Sequence, residues 1–125
     1  MKPILDACCG SRMFWFDHDD PRAVFCDNHR LTEPLCDGRV LRIEPDILCD
    51  FKALPFPDES FYLVVFDPPH LKMAGGKGWQ AKKYGVLPPD WEDELRRGFA
   101  ECFRVLKPNG TLVFKWSEIQ IPLSL

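Results

Sequence analysis

Asp67-Pro68-Pro69-His70 is the segment of this 125-residue chain best equipped for chemistry. The pyrrolidine rings fix φ at Pro68 and Pro69, so the Asp67 carboxylate and the Pro68 carbonyl present two acceptors at a constant spacing. Such a pair suits an amine attached to an aromatic ring. The lone pair of that amine is delocalised into the ring, and hydrogen bonds from its two N–H groups to fixed acceptors localise it and aim it at an electrophile. His70 adds a flat ring that can stack on a base and, with a reference pKa near ~6.5, can take up a proton. Asp-Pro-Pro is also an ordinary way for a chain to leave a strand, so the catalytic reading depends on what stands upstream.

Upstream, three further polar groups close apolar runs: Asp6-Ala7-Cys8-Cys9-Gly10-Ser11, Asp27, and Asp50-Phe51. A tight turn after a first strand, followed by a carboxylate ending the second, is the arrangement that lets a nucleoside-bearing ligand lie over the first βα turn with its ribose hydroxyls on the acid. Asp27 is that acid. The plainer readings are a turn former at Asp27 and a helix cap at Asp50.

Residues 68–89 contain no acidic side chain, while Lys72, Lys77, Lys82 and Lys83 alternate with Gly75, Gly76, Gly78, Trp79 and Tyr84. Lysines for phosphate, aromatics for bases and glycines for mobility suit a loop that closes over a nucleotide or polynucleotide. The plainer reading is a solvated basic loop. The formal charge of −3 gives no global pull on nucleic acid, so any attraction must be local to this patch.

The elements that must position these groups follow from periodicity. Residues 3–7 and 23–26 read as buried strands, the first ending at Cys8-Cys9-Gly10 and the second at Asp27. Residues 11–16 are expected to form one or two helical turns. Cys36-Asp37-Gly38 between 31–35 and 39–43 predicts a hairpin. Residues 46–49 give a short strand, and 61–66, Phe-Tyr-Leu-Val-Val-Phe, give the most apolar one, stopped by the two prolines. Residues 90–106 predict a helix with Asp90 as N-cap, an apolar stripe of Trp91, Leu95, Phe99, Cys102, Phe103 and Leu106, and a stop at Lys107-Pro108-Asn109-Gly110. A last strand is expected at 111–116. Uniformly apolar strands alternating with crossovers argue for an α/β fold with a mainly parallel sheet.

Composition agrees. An apolar content of 46% with ten Phe and four Trp is that of a packed globule, and 125 residues suffice for a single domain spanning 1–125. The first ten residues are too short and polar for a signal peptide, and no run approaches a membrane span. Six cysteines without a C-x-x-C pair read as reduced thiols in a cytoplasm. Cys8, Cys9, Cys26 and Cys49 have the wrong spacing for zinc, so no metal is expected.

Taken with Leu5-Asp6-Ala7-Cys8-Cys9-Gly10-Ser11-Arg12-Met13-Phe14-Trp15-Phe16-Asp17, Asp67-Pro68-Pro69-His70 gives the chain a likeness to a known family. It resembles class I, Rossmann-like S-adenosylmethionine-dependent methyltransferases, in the amino-methyltransferase branch marked by Asp/Asn-Pro-Pro-aromatic. Small phage- and prophage-type enzymes are the nearest likeness. The resemblance implies that Asp6, Ala7, Cys8, Cys9 and Gly10 wrap the methionine part of S-adenosyl-L-methionine, that Asp27 binds its ribose, and that Asp50 and Phe51 flank its adenine. It also implies that Asp67, Pro68, Pro69 and His70 hold the target amine, an exocyclic amine of a DNA base such as adenine N6 or cytosine N4. Lys72, Lys77, Trp79, Lys82, Lys83 and Tyr84 would then meet the nucleic acid or nucleotide substrate.

Two departures stand out. His70 replaces the usual Tyr, Phe or Trp, and Gly10-Ser11-Arg12 replaces Gly-x-Gly, so that either the turn is shaped differently or Arg12 meets the methionine carboxylate. Relatives also continue with two more strands after the one expected at 111–116. Their lack predicts a C-terminally truncated domain with an uncovered edge strand open to self-association, and supplies an alternative function: a non-catalytic remnant that binds cofactor or a partner protein. A nicotinamide-dependent oxidoreductase would need Gly-x-Gly-x-x-Gly after the first strand, and only Gly10 is present.

Overall fold

The computed structural model describes residues 2–69 and 88–116. Their strands are β1 (Ile4–Asp6), β2 (Ala23–Asp27), β3 (Leu31–Pro34), β4 (Val40–Ile43), β5 (Ile47–Leu48), β6 (Phe61–Phe66) and β7 (Leu106–Phe114), with one helix, α1 (Trp91–Val105), before β7. Five strands form a sheet in the order β5-β2-β1-β6-β7, all adjacent pairs parallel, and β3–β4 form a separate antiparallel hairpin. The architecture is α/β and Rossmann-like. No helix among the described residues is long and apolar enough to cross a membrane.

Side chains alternate between the two faces of the sheet. Leu5, Ala7, Cys26, Val64 and Phe66 turn to the face covered by α1, where Cys102 and Val105 are fully buried with them. Ile4, Ala23 and Phe25 turn to the other face, where Trp15 packs over them with its ring centroid 5.4 Å from that of Phe25. Both faces are dry in the middle of the sheet, which is why β2 and β6 read as unbroken apolar runs.

Residues 11–16 form no helix. Gly10 and Arg12 adopt left-handed φ angles of 51° and 62°, which break any α-helical run, and the segment is held instead by single turn bonds, Arg12 N–H to Cys9 O (2.7 Å) and Trp15 N–H to Arg12 O (3.1 Å). Asp90 does sit at the N-cap of α1, but its side chain makes no cap hydrogen bond; its carbonyl accepts from Glu94 N–H at 3.1 Å. Glu92, Asp93 and Glu94 in the first turn supply the favourable charge for the helix dipole.

The apolar stripe of α1 is rotated from the one expected. Gly98, Cys102 and Val105 are its buried centre, with Leu95 and Phe99 beside them, and Phe103 lies 60% exposed. Gly98 explains the rotation. A Cβ there would stand 2.7 Å from Phe66 Cζ and 2.8 Å from Phe51 Cδ1, so the bare backbone is what lets the helix press onto those rings. The helix ends at Val105 and the chain turns extended at Leu106. β7 therefore begins earlier than expected, pairing Leu106 with Phe61, and its ladder is interrupted before Thr111 pairs with Leu63; Asn109 in that interval has a φ of 65°.

Candidate functional site at the carboxyl ends of the strands

The chain builds β1, β2 and β5 in one direction across the sheet and then returns to lay β6 and β7 on the other side of β1. Strand order thus reverses between β1 and β6, and in open α/β sheets the crevice beyond the carboxyl ends at that reversal is where ligands bind. Leu5 pairs with Val64, Asp6 with Val65, and Ala7 N–H bonds Val65 O at 3.0 Å. The Cys9-Gly10 bend and the Asp67-Pro68-Pro69 exit accordingly leave one ladder side by side.

Asp6 is buried at this point. Its Oδ2 accepts the Trp15 Nε1–H at 2.8 Å and its Oδ1 the Cys8 N–H at 3.2 Å. Burial pushes its pKa up to about 7 against the pull of those two hydrogen bonds, and the nearby Asp67 and Asp27 carboxylates push the same way. Burial also drives the Cys9 thiol well above its usual range, with Asp6 and Asp27 adding to the effect. Cys9 is therefore apolar filling of the bend, its backbone N–H tied to Cys26 O at 2.7 Å.

Asp27 is 8% exposed and is the hub of the bend. Its Oδ2 accepts Gly10 N–H at 2.8 Å; its Oδ1 accepts Asn28 N–H at 2.8 Å and lies 2.8 Å from His29 Nδ1. Asn28 Oδ1 is also 3.0 Å from that nitrogen, so two acceptors assign the proton to Nδ1. A carboxylate has about four acceptor positions, and these three donors leave one open on Oδ2.

Arg12 keeps the left-handed backbone that a glycine would take, at a cost of roughly 1–2 kcal/mol for a side chain with a Cβ. Its guanidinium offsets that cost. It donates to the His18 carbonyl (2.5 Å) and the Glu44 carbonyl (2.7 Å), lies 3.3 Å from Asp19 and 3.5 Å from Asp46, and sits 4.0 Å over the Phe25 ring. Arg12 therefore braces the bend against the segment before β5. Those bonds account for its reach in the fold.

Of the residues picked out by sequence, Asp6, Ala7, Cys8, Cys9, Gly10, Asp27, Asp67 and Pro68 converge here. Pro68 is fully buried and Asp67 partly so. Asp50 is exposed just past the end of β5, its Oδ1 accepting Lys52 N–H at 2.8 Å. The Phe51 ring is half-buried, edge-on to Phe66 at 5.3 Å and beside Gly98 of α1. His70, Lys72, Lys77, Trp79, Lys82, Lys83 and Tyr84 lie outside the described residues. Among the described residues no group of three or more His, Cys, Asp or Glu could hold a metal ion.

Three residues of the site escaped the sequence reading. Trp15 sits in an aromatic stretch of which Met13, Phe14 and Phe16 are exposed, and Trp15 alone turns inward to bond Asp6. His29 follows Asp27 by two residues. Lys115 is placed beside Asp67 by register: Phe66 pairs with Phe114, and the next residue along each strand brings Lys115 Nζ to 3.9 Å from Asp67 Oδ2. That last signal becomes readable once β6 and β7 are known to be parallel neighbours.

The fold is similar to that of the PH0226 protein from Pyrococcus horikoshii OT3, known from its crystal structure, with a TM-score of 0.57 at 21% sequence identity over 96% of this chain and 48% of that one. This chain spans about half the length of that structure, and at such identity the likeness shows the fold alone. No family model matches the chain, and no curated protein matches it.

Proposed function

We propose that the crevice binds S-adenosyl-L-methionine and that the chain transfers its methyl group to an exocyclic amine of a nucleobase. The observation that carries this reading is the pairing of β1 with β6, which sets the Gly10 bend and the Asp67-Pro68-Pro69 exit at one strand reversal. The residues present fit the cofactor. Asp6, Asp27 and Asp67 make the crevice acidic, which suits a ligand bearing a sulfonium and an ammonium, and the open acceptor position on Asp27 Oδ2 suits a ribose hydroxyl.

When bound, the cofactor supplies an electrophilic methyl group. Gly10 and Asp27, bonded to each other, would hold it at the bend, where Asp6 is buried and bonded to Trp15. Asp67 and the Pro68 carbonyl accept the two N–H bonds of the acceptor amine and turn its lone pair toward the methyl carbon. Asp67 is also positioned to receive the proton released from nitrogen. The lysine- and aromatic-bearing segment that includes Lys72, Lys77, Trp79, Lys82, Lys83 and Tyr84 would supply phosphate and base contacts to a nucleic acid or nucleotide.

The test is transfer of tritiated methyl to DNA, RNA and free nucleotides by the wild type and by Asp67→Ala. The wild type should label at least one acceptor, and Asp67→Ala should abolish labelling while leaving cofactor affinity within a few-fold. Full activity in the variant would refute the role of Asp67. Cofactor binding by a wild type that labels nothing would favour the non-catalytic reading.

A further inference from the structure

We propose that Lys115, at the carboxyl end of β7, is a positioning residue that favours the ionised form of the Asp67 carboxylate and holds it beside β7; this rests on the methyl-transfer reading of that site. The register puts the two side by side, and the Lys115 N–H bonds Phe66 O at 3.1 Å, so the lysine backbone is fixed one residue from its partner. The ammonium lies 3.9 Å from Asp67 Oδ2, with side-chain exposures of 59% and 22%.

Among the described residues, the carboxylates near Asp67 favour a cation beside it. Asp6 on β1 and Asp27 on β2 face the same crevice, and Asp67 and Asp6 repel each other's charge. When bound, S-adenosyl-L-methionine would bring positive charge to these carboxylates. Lys115 is the positive charge that β7 itself holds against Asp67. A protonated Asp67 would be a poorer acceptor for the two-bond grip on an amine, so the lysine acts on the acceptor amine through the carboxylate without touching the reacting atoms.

The experiment is a carbon-13 NMR titration of side-chain carboxyls in the full chain, with the Asp67 resonance assigned by its loss in Asp67→Asn. An opposite charge at about 4 Å in a solvated setting is worth about 1 kcal/mol, so Lys115→Met should raise the Asp67 midpoint by about half a pH unit or more, and Lys115→Arg should leave it near the wild-type value. The acidic limb of the pH–rate profile should move with it. An Asp67 midpoint in Lys115→Met equal to that of the wild type would overturn the proposal. The titration needs no turnover: a wild type that labels no acceptor would sink the methyl-transfer reading and with it the lysine's purpose, while an unmoved midpoint would sink the lysine alone.

Discussion

Asp6 carries a cost that only its surroundings make tolerable. The residue is 1% exposed, and burial is the chief cause that pushes its pKa from the ordinary 3.8 up to about 7. The folded state therefore holds its proton more tightly than the unfolded chain does. For an acid raised in this way the stabilising contribution is complete below about pH 4 and is lost as pH rises through 7. Urea unfolding of the wild type should show a fall on the order of 4 kcal/mol across that window from this group, and Asp6→Asn should flatten the slope whatever its absolute stability. Equal slopes would mean that Asp6 does not set the pH response. The acidic strand ends were legible from the sequence because a carboxylate closing an apolar run is visible in one dimension. Trp15, His29 and Lys115 were not, because each reaches its partner through a bend or a strand register that spacing alone does not reveal.

At the scale of elements, the sharpest constraint is the contact of α1 with β6. Gly98 is the point of closest approach, with Phe66 and Phe51 filling the space a methyl would take. Gly98→Ala would ordinarily favour a helix, yet here the added carbon must displace two aromatic rings in the core. Unfolding measurements should find the variant less stable by about 1–3 kcal/mol; a neutral or stabilised variant would show that the helix does not rest on that edge. The strands up to 66 were readable from sequence to within a residue or so of each end, with 61–66 and the hairpin recovered as expected, because apolar β-branched and aromatic runs bounded by turns have few other uses. By contrast, β7 begins at Leu106 and not at the expected 111. Residues 11–16 were misread as helical. Their pattern permits a turn, but the left-handed Gly10 and Arg12 that the bend requires forbid its continuation.

Across the whole molecule, the order β5-β2-β1-β6-β7 converts scattered strand ends into one crevice. The parallel sheet was foreseeable from uniformly buried strands, and β1 and β6 are neighbours in it. Among the described residues β7 pairs with β6 and with no other strand. The most direct experiment is calorimetric titration of S-adenosyl-L-methionine into the wild type and Asp27→Ala. One equivalent should bind the wild type, and loss of the Asp27 carboxylate should weaken binding by about 1–3 kcal/mol. No binding to the wild type, or equal affinity in both proteins, would contradict a cofactor seated over the Gly10 bend.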